Sequence, residues 1–401
     1  MPGLKQLITD IAFDLGFDAV GITLAEDLKS SNEHFLSWRE SGFAGEMDYL
    51  LREDPVNAKP KKIVPEAKSV ISLLVNYYTE SEEDPGSDFG KVAAYAVGLD
   101  YHKVLRKKIK QFQERIQKEI SGQFISKGFS DSVPLLEKSF ARNSGLGFFG
   151  KNTLIINKPF GSYFFIAELI SDLDIEPSNE QTGTCGKCTR CIDVCPTDAL
   201  GVGAQHVVLL LDARLCISYL TIENKASIPV ELRKKIGNWI FGCDLCQIVC
   251  PYNKKIKETN WKEFKPSSGV GHWLSVKEVL SIRSEQEFHN KFCHTPLARP
   301  KRQGLLRNAA IVAGNRLSEG ALPELIWLAE NESNFVIREP VLWALSKYED
   351  RKAKQICNQF VPVEAQHAKP LQFISNASTV LYESTHLLQQ FVYCKHCISH
   401  L

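Results

Sequence analysis

Cys185-Gly-Lys-Cys188-Thr-Arg-Cys191-Ile-Asp-Val-Cys195-Pro196 spaces four thiols as C-x2-C-x2-C-x3-C-P. Thiolates at this spacing wrap an iron–sulfur cube: the first three hold one [4Fe–4S] cluster and the fourth reaches over to a second. A companion run follows at Cys243-Asp-Leu-Cys246-Gln-Ile-Val-Cys250-Pro251, and its missing first position falls on Ile240, which cannot ligate iron. Cys216 is the other cysteine of the region and closes the count. Cluster one then takes Cys185, Cys188, Cys191 and Cys250; cluster two takes Cys195, Cys216, Cys243 and Cys246. Structural zinc sites are built from separated C-x2-C pairs, so the spacing favours cubes. Residues 176–260 are therefore expected to form a ferredoxin-like two-cluster domain in which the clusters replace a continuous apolar core.

The rest of the chain is ordinary globular sequence. Of 401 residues, 44% are apolar and 24% charged, enough for two or three cores. Apolar stretches such as Val207 to Leu211 are too short to cross a bilayer, and Met1-Pro-Gly-Leu-Lys-Gln carries no export signal. A cytoplasmic protein with no membrane partner is expected. Eight of the twelve cysteines lie between Cys185 and Cys250, which in such a protein points to redox or metal chemistry rather than disulfides. The formal charge is +1, but basic residues gather locally. Asn290 to Arg316 holds six of them and no acid, and Arg233-Lys-Lys235 and Lys254-Lys255 flank the second cysteine run.

Residues 1–175 alternate helical and β-like periods. Leu4 to Leu15 and Tyr101 to Ile120 read as helices, Val70 to Tyr77 and Val92 to Val97 as strands, and Thr153 to Asn157 with Ser162 to Ile170 as a strand pair joined at Pro159-Phe160-Gly161. Residues 261–365 are helical from Leu305 onward and suit HEAT-like helix pairs. Residues 366–401 have no clear period. There Cys394-Lys-His-Cys397 with His400 lacks the second pair that a zinc knuckle needs. Gly145-Leu-Gly-Phe-Phe-Gly150 fits the dinucleotide fingerprint in letters only. That motif follows a strand and opens a helix, whereas here a helical period precedes it and Thr153-Leu-Ile-Ile follows.

Several segments together resemble epoxyqueuosine reductases over about residues 1 to 350. They are Asp131-Ser-Val-Pro-Leu-Leu-Glu137-Lys138, Ala141-Arg-Asn-Ser-Gly-Leu-Gly147, Gly150-Lys-Asn-Thr153, Asp212-Ala-Arg-Leu-Cys216-Ile-Ser-Tyr-Leu-Thr-Ile-Glu223, Phe241-Gly-Cys-Asp-Leu-Cys246 and Arg307-Asn-Ala309 through Gly314-Asn315. The resemblance implies an α+β or α/β enzyme whose N-terminal mixed α/β domain binds cobalamin. It implies reduction of epoxyqueuosine to queuosine at the tRNA wobble position, with single electrons passing through two [4Fe–4S] clusters to turn cob(II)alamin into cob(I)alamin. Asp100-Tyr-His102 lacks the glycine of a cobalt-binding D-x-H-x-x-G motif, so the resemblance also implies cobalt without a protein histidine beneath it. At Asn57-Ala-Lys59-Pro60 the sequence departs from the family's arginine–aspartate–proline pattern.

Loss of the epoxide oxygen as water needs two electrons and two protons, hence a proton donor. Asp131 is the first candidate and Glu137 the second, with burial against the corrin expected to raise the Asp131 pKa. Asp131, Lys151, Asn152, Ser218 and Tyr219 are the candidate cofactor contacts. Arg233, Lys234, Lys254, Arg299, Lys301, Arg302 and Arg307 are the candidate contacts to the phosphates of a tRNA anticodon stem-loop. A low-potential donor must feed the clusters, and a monomer suffices. Two alternatives use the same cysteines: a cobalamin-dependent reductive dehalogenase, or a ferredoxin-type electron-transfer protein. The first is usually exported behind a twin-arginine signal, and the second leaves residues 1–175 without a task.

Overall fold

The computed structural model describes residues 3–50, 59–132, 135–179, 183–202 and 210–359. Asn57 and the Cys394–His400 segment lie outside them. In the N-terminal part the elements run α1 (Leu4–Asp14), β1 (Ala19–Leu24), α2 (Lys29–Glu40), β2 (Ser69–Asn76), β3 (Phe89–Val92), α3 (Tyr101–Glu119), β4 (Ser126–Phe129), α4 (Glu137–Asn143), β5 (Phe148–Phe149), β6 (Ile155–Ile156) and β7 (Phe164–Ser171). Four strands form a sheet in the order β1-β2-β7-β4, antiparallel throughout. Every residue of β2 is buried, because helices cover both faces. Ile8 and Ile11 of α1 and Leu105, Ile109 and Phe112 of α3 pack on Ile71, Leu73 and Leu169. Phe140 and Ala141 of α4 pack on the opposite face, against Val70, Ile170 and Leu74.

Two local expectations change. The two strands flanking Pro159–Gly161 are not hairpin partners: β6 pairs with β5, β7 lies between β2 and β4, and a single Asn157–Gly161 bridge closes the turn. The run from Val92 to Val97 ends as a strand at Val92 and continues as a 3₁₀ turn, Ala94–Ala96. The glycine stretch follows α4 and precedes β5, the reverse of a dinucleotide fold. Gly145 (φ +80°) ends the helix, with Gly145 N–H donating to Arg142 O and Leu146 N–H to Ala141 O.

The cysteine region adds α5 (Arg190–Asp193), β8 (Leu200–Val202), β9 (Leu210–Leu211), α6 (Ile217–Ile222), α7 (Val230–Ile236), β10 (Trp239–Phe241) and α8 (Leu245–Ile248). β8 and β9 form an antiparallel pair, and β10 joins β3 in parallel. On the other edge of β3 lies β11 (Trp273–Ser275), followed by α9 (Val276–Leu280), α10 (Glu285–Phe292), α11 (Lys301–Arg316), α12 (Leu322–Asn331), α13 (Phe335–Leu345) and α14 (Arg351–Gln359). α11 is buried from Gly304 to Gly314 and packs between α9, β10 and α13. One apolar core joins Val92 and Val97, Ile217 to Phe241, and the helices from Val276 to Ile356, so it runs across the domain boundary expected at residue 260. No helix among the described residues is long and apolar enough to cross a membrane.

Candidate functional site: an acid cluster beside the cysteines

Asp131 lies just beyond β4 in a left-handed backbone conformation (φ +50°) that disfavours a non-glycine residue. Two neighbours hold it there. Its N–H donates to Glu137 Oε1 at 2.6 Å, and the Tyr101 hydroxyl donates to its Oδ2 at 2.6 Å. His102 Nε2 stands 3.7 Å from the same oxygen, while its Nδ1 is 2.8 Å from Asp100 Oδ1. Tyr101 and His102 open α3, where Asp100 caps the helix by accepting from His102 N–H. The Tyr101 ring is fixed between His102 (4.0 Å) and Phe165 of β7 (4.3 Å).

This packing pushes the titrations apart. Burial favours a protonated Asp131, yet hydrogen bonds from His102 and Tyr101 outweigh it and hold the carboxyl below its ordinary value. The sequence-based expectation of a raised Asp131 is thus reversed, because a cation and a hydroxyl face it. Burial lowers His102, but hydrogen bonds and charge from Asp100 and Asp131 overcome it and raise the imidazole to about 9. Glu137, buried and beside the Asp131 charge, rises to about 8. Beneath α4, Glu168 of β7 is fully buried; its Oε1 accepts from Ser72 Oγ at 3.0 Å and its Oε2 has no partner. Burial, with the Glu137 charge nearby, lifts it well above a normal carboxyl.

Lys138 ties this cluster to the cysteines. Its side chain is exposed, yet the surrounding protein lowers its pKa by desolvation, and it senses Asp131, Glu137 and Cys246 together. Asp131 is likewise 68% accessible among close charged neighbours. Lys138 Nζ also donates to Thr153 O at 3.4 Å, so the loop after Gly150 borders the same cluster. In that loop Asn152 is buried and its Nδ2 has no partner.

The thiols expected to hold the two clusters influence one another's titration. After burial, the strongest influence on Cys191 is Cys185, and Cys250 senses Cys185 and Cys188. Cys216 senses Cys195; Cys243 senses Cys216 and Cys246; Cys246 senses Cys216 and, across the boundary, Cys191. Lys151 N–H donates to Cys185 Sγ at 3.4 Å and Lys151 Nζ to Gly186 O at 3.0 Å. That lysine therefore grips the first cysteine loop rather than reaching into open space. Tyr219 is buried, and its hydroxyl accepts from Glu46 N–H at 2.7 Å beneath Gly45, where a Cβ would come within 2.4 Å of it. Tyr219 thus supports a loop instead of offering a free cofactor contact. Ser218 is half-buried on α6.

Three of the expected RNA contacts are corrected. Arg307 is fully buried, and its guanidinium donates to Leu220 O, Asn224 O and Ala226 O at 2.6–2.7 Å, just past the helix that follows Cys216. Arg233 is fully buried, donates to Ile228 O and pairs with Glu339. Arg302 donates to Ile282 O and pairs with Glu332 at 2.7 Å. α11 is covered from Gly304 to Gly314, so Arg302 and Arg307 bind the protein interior and not phosphate, as does Arg233 of α7. Lys234, Lys254 and Lys301 are exposed. Arg299 is half-exposed, pairs with Glu223 at 2.9 Å, lies over Tyr49 and senses Asp131.

Sequence reasoning missed Tyr101, His102, Glu168 and Lys138 as members of the site. Asp100-Tyr-His102 had been weighed only as a cobalt ligand. Its signal was the capping aspartate that sets a histidine at a helix start, where the side chain leaves the core face.

Paired cube-spaced cysteine runs on an α+β scaffold, opening onto an acid cluster, define a two-cluster iron–sulfur oxidoreductase. Residues 184–253 match the family described as "4Fe-4S double cluster binding domain", and residues 58–132 match "Epoxyqueuosine reductase QueG, DUF1730". An epoxyqueuosine reductase of Pseudomonas aeruginosa is 41% identical over 359 residues, covering 86% of this chain and 94% of that protein. One of Leadbetterella byssophila is 42% identical over 312 residues, covering 78% and 99%. The crystal structure of an epoxyqueuosine reductase with an epoxyqueuosine-modified tRNA-Tyr stem loop superposes with a TM-score of 0.81 at 28% identity, covering 99% of this chain and 98% of that one. A Bacillus subtilis epoxyqueuosine reductase whose aspartate-bearing catalytic loop is swung out of the active site has the same TM-score, identity and coverage. The chain belongs to the epoxyqueuosine reductase family.

Proposed function

We propose that this chain reduces epoxyqueuosine to queuosine at the wobble position of a tRNA anticodon, as a monomer in the cytoplasm. The observation that carries the reading is Asp131, which accepts from the Tyr101 hydroxyl at 2.6 Å with His102 Nε2 3.7 Å away, in a chain whose residues 184–253 match a two-cluster iron–sulfur family. Cys185, Cys188, Cys191 and Cys250 are assigned to the outer cluster. Cys195, Cys216, Cys243 and Cys246 are assigned to the inner one, beside the acids.

The residues present fit a corrinoid. They include an accessible acid at Asp131 and an amide nitrogen at Asn152 awaiting an acceptor. Asn152 and Lys138 are assigned to hold the cofactor, with Asp131 standing over it; when bound, it supplies a metal centre that collects electrons one at a time. Asp131 and His102 share one proton at neutral pH, and Asp131 passes it to the departing oxygen. His102 restores that proton, and Tyr101 aims the carboxylate. The left-handed Asp131 backbone fits a loop that moves, and the swung-out loop of the Bacillus subtilis relative supports this. Arg299 and the exposed Lys301 and Lys234 are assigned to phosphates of the stem loop, with the C-terminal helices as HEAT-like support.

Nucleoside analysis of tRNA from a deletion strain tests the reading. Epoxyqueuosine accumulates in place of queuosine, and the wild-type gene restores the product; normal queuosine in the deletion strain overturns it.

A further inference from the structure

The cysteine region presents one surface that the acid cluster does not use. α5 and α8 pack together. The groove beside them, about 460 Å³, is lined by Arg190, Asp193, Val194, Ile248, Val249 and Lys254. Its floor is aliphatic, and Ile248 is 50% exposed. A single exposed isoleucine means little, but these residues have a particular place. Val194 immediately precedes Cys195 and Val249 immediately precedes Cys250, so the floor is chain neighbour to thiols of both sets. On the rim, Asp193 accepts from Thr189 Oγ1 at 2.8 Å. Arg190 and Lys254 pair with no carboxylate among the described residues.

We propose that this groove docks the protein that reduces the clusters, a small acidic carrier of single electrons. This rests on the two-cluster reading above. An aliphatic floor lying over both cysteine sets brings a partner's redox centre close to the clusters, and two unpaired cations match an acidic surface. RNA is the poorer fit, since no aromatic ring in the lining could stack a base. In each encounter one electron leaves the reduced carrier and enters a [4Fe–4S] cluster. The carrier is oxidised by one electron, the cluster is reduced by one, and no bond or proton moves. Two encounters serve each epoxide. Such contacts are small and short-lived, and charge governs their on-rate and salt dependence.

The test uses the full chain with reconstituted clusters and an acidic plant-type [2Fe–2S] ferredoxin. Two quantities are read: affinity for the oxidised ferredoxin by calorimetry, and the second-order rate of cluster bleaching by the reduced form. Arg190→Glu is expected to lower the bleaching rate several-fold at low salt and to weaken binding. Ile248→Asp acts in the same direction. Iron content, bleaching by dithionite and affinity for a tRNA stem loop stay at wild-type values. Unchanged ferredoxin kinetics in Arg190→Glu overturn the proposal, as does wild-type protein that fails to bind the ferredoxin. Weakened stem-loop affinity would instead make the groove an RNA contact. Failure of the underlying reading is distinguishable, because it appears as wild-type protein that takes up no clusters.

Discussion

α4 and α11 each carry ionisable groups into protein, and they treat them in opposite ways. Around α11, Arg307 finds three backbone carbonyls and Arg233 and Arg302 each find a carboxylate and a carbonyl. Arg233 Nη1 apart, these guanidinium groups are answered, and the helix is covered from Gly304 to Gly314. Around α4, Asp131, Glu137, His102 and Lys138 lie together with Asp131 and Lys138 exposed, and Glu168 beneath them keeps an unpartnered oxygen. Satisfied charge holds a fold together, whereas partly satisfied charge at an opening leaves protons available for chemistry.

The contrast is sharpest at Asp131. Asp131→Asn keeps the hydrogen bond from Tyr101 but cannot carry a proton to the leaving oxygen. Queuosine formation is expected to fall ~10²–10⁴-fold, the usual worth of a positioned acid, while the melting temperature moves little. His102→Asn gives a smaller loss, about ten-fold or more, with a changed pH profile. In the wild type the rate falls as pH rises through about 9, where His102 releases its proton, and in the variant that limb is lost. A wild-type profile in His102→Asn would remove the histidine from the proton path.

Arg307→Ala probes the sealed region. Three buried carbonyls lose their donor, at ~1–3 kcal/mol for each orphaned group, so thermal unfolding should show a loss of at least ~3 kcal/mol. The salt dependence of stem-loop binding should not change. Lys301→Ala is the counterpart, costing little stability and flattening the slope by ~0.7 per phosphate released. If Arg307→Ala flattened the slope instead, the two regions would have been assigned the wrong way round.

These differences explain what could be read in the sequence. Cysteine ligation is encoded by short-range spacing, so Cys185 to Cys195 and Cys243 to Cys250 announce themselves in the linear chain. Cys216 could be found by counting. An arginine carries no such mark: Arg307 and Lys301 sit in one basic run, and only the covering of α11 from Gly304 to Gly314 separates an interior bracket from a surface cation. The antiparallel order of the sheet was hidden for a related reason. Strands of β2 type, buried on both faces, read as continuous apolar runs whichever way their neighbours point. The acid cluster joins α3, β4, α4 and β7, residues spread from Tyr101 to Glu168 in the chain, and its titrations depend on which groups face one another. The family resemblance implied two candidate acids but could not show that His102 and Tyr101 would hold Asp131 ionised.

The smallest expected effect concerns stability against pH. Glu137 has its folded pKa raised to about 8 by burial and the Asp131 charge, against an ordinary carboxyl near 4.3 in the unfolded chain. The folded protein therefore binds the extra proton, and this contribution is complete below about pH 4 and disappears as pH rises through about 8. Glu168 is raised still further and acts in the same direction, as does His102 between its ordinary value and about 9. Denaturant midpoints should accordingly decline from pH 5 to 9. Glu137→Gln keeps an acceptor for the Asp131 N–H and cannot titrate, so it should flatten the part of that decline below about pH 8. A curve unchanged by the substitution would mean that Glu137 is ionised throughout. The protons behind Asp131 would then be confined to His102.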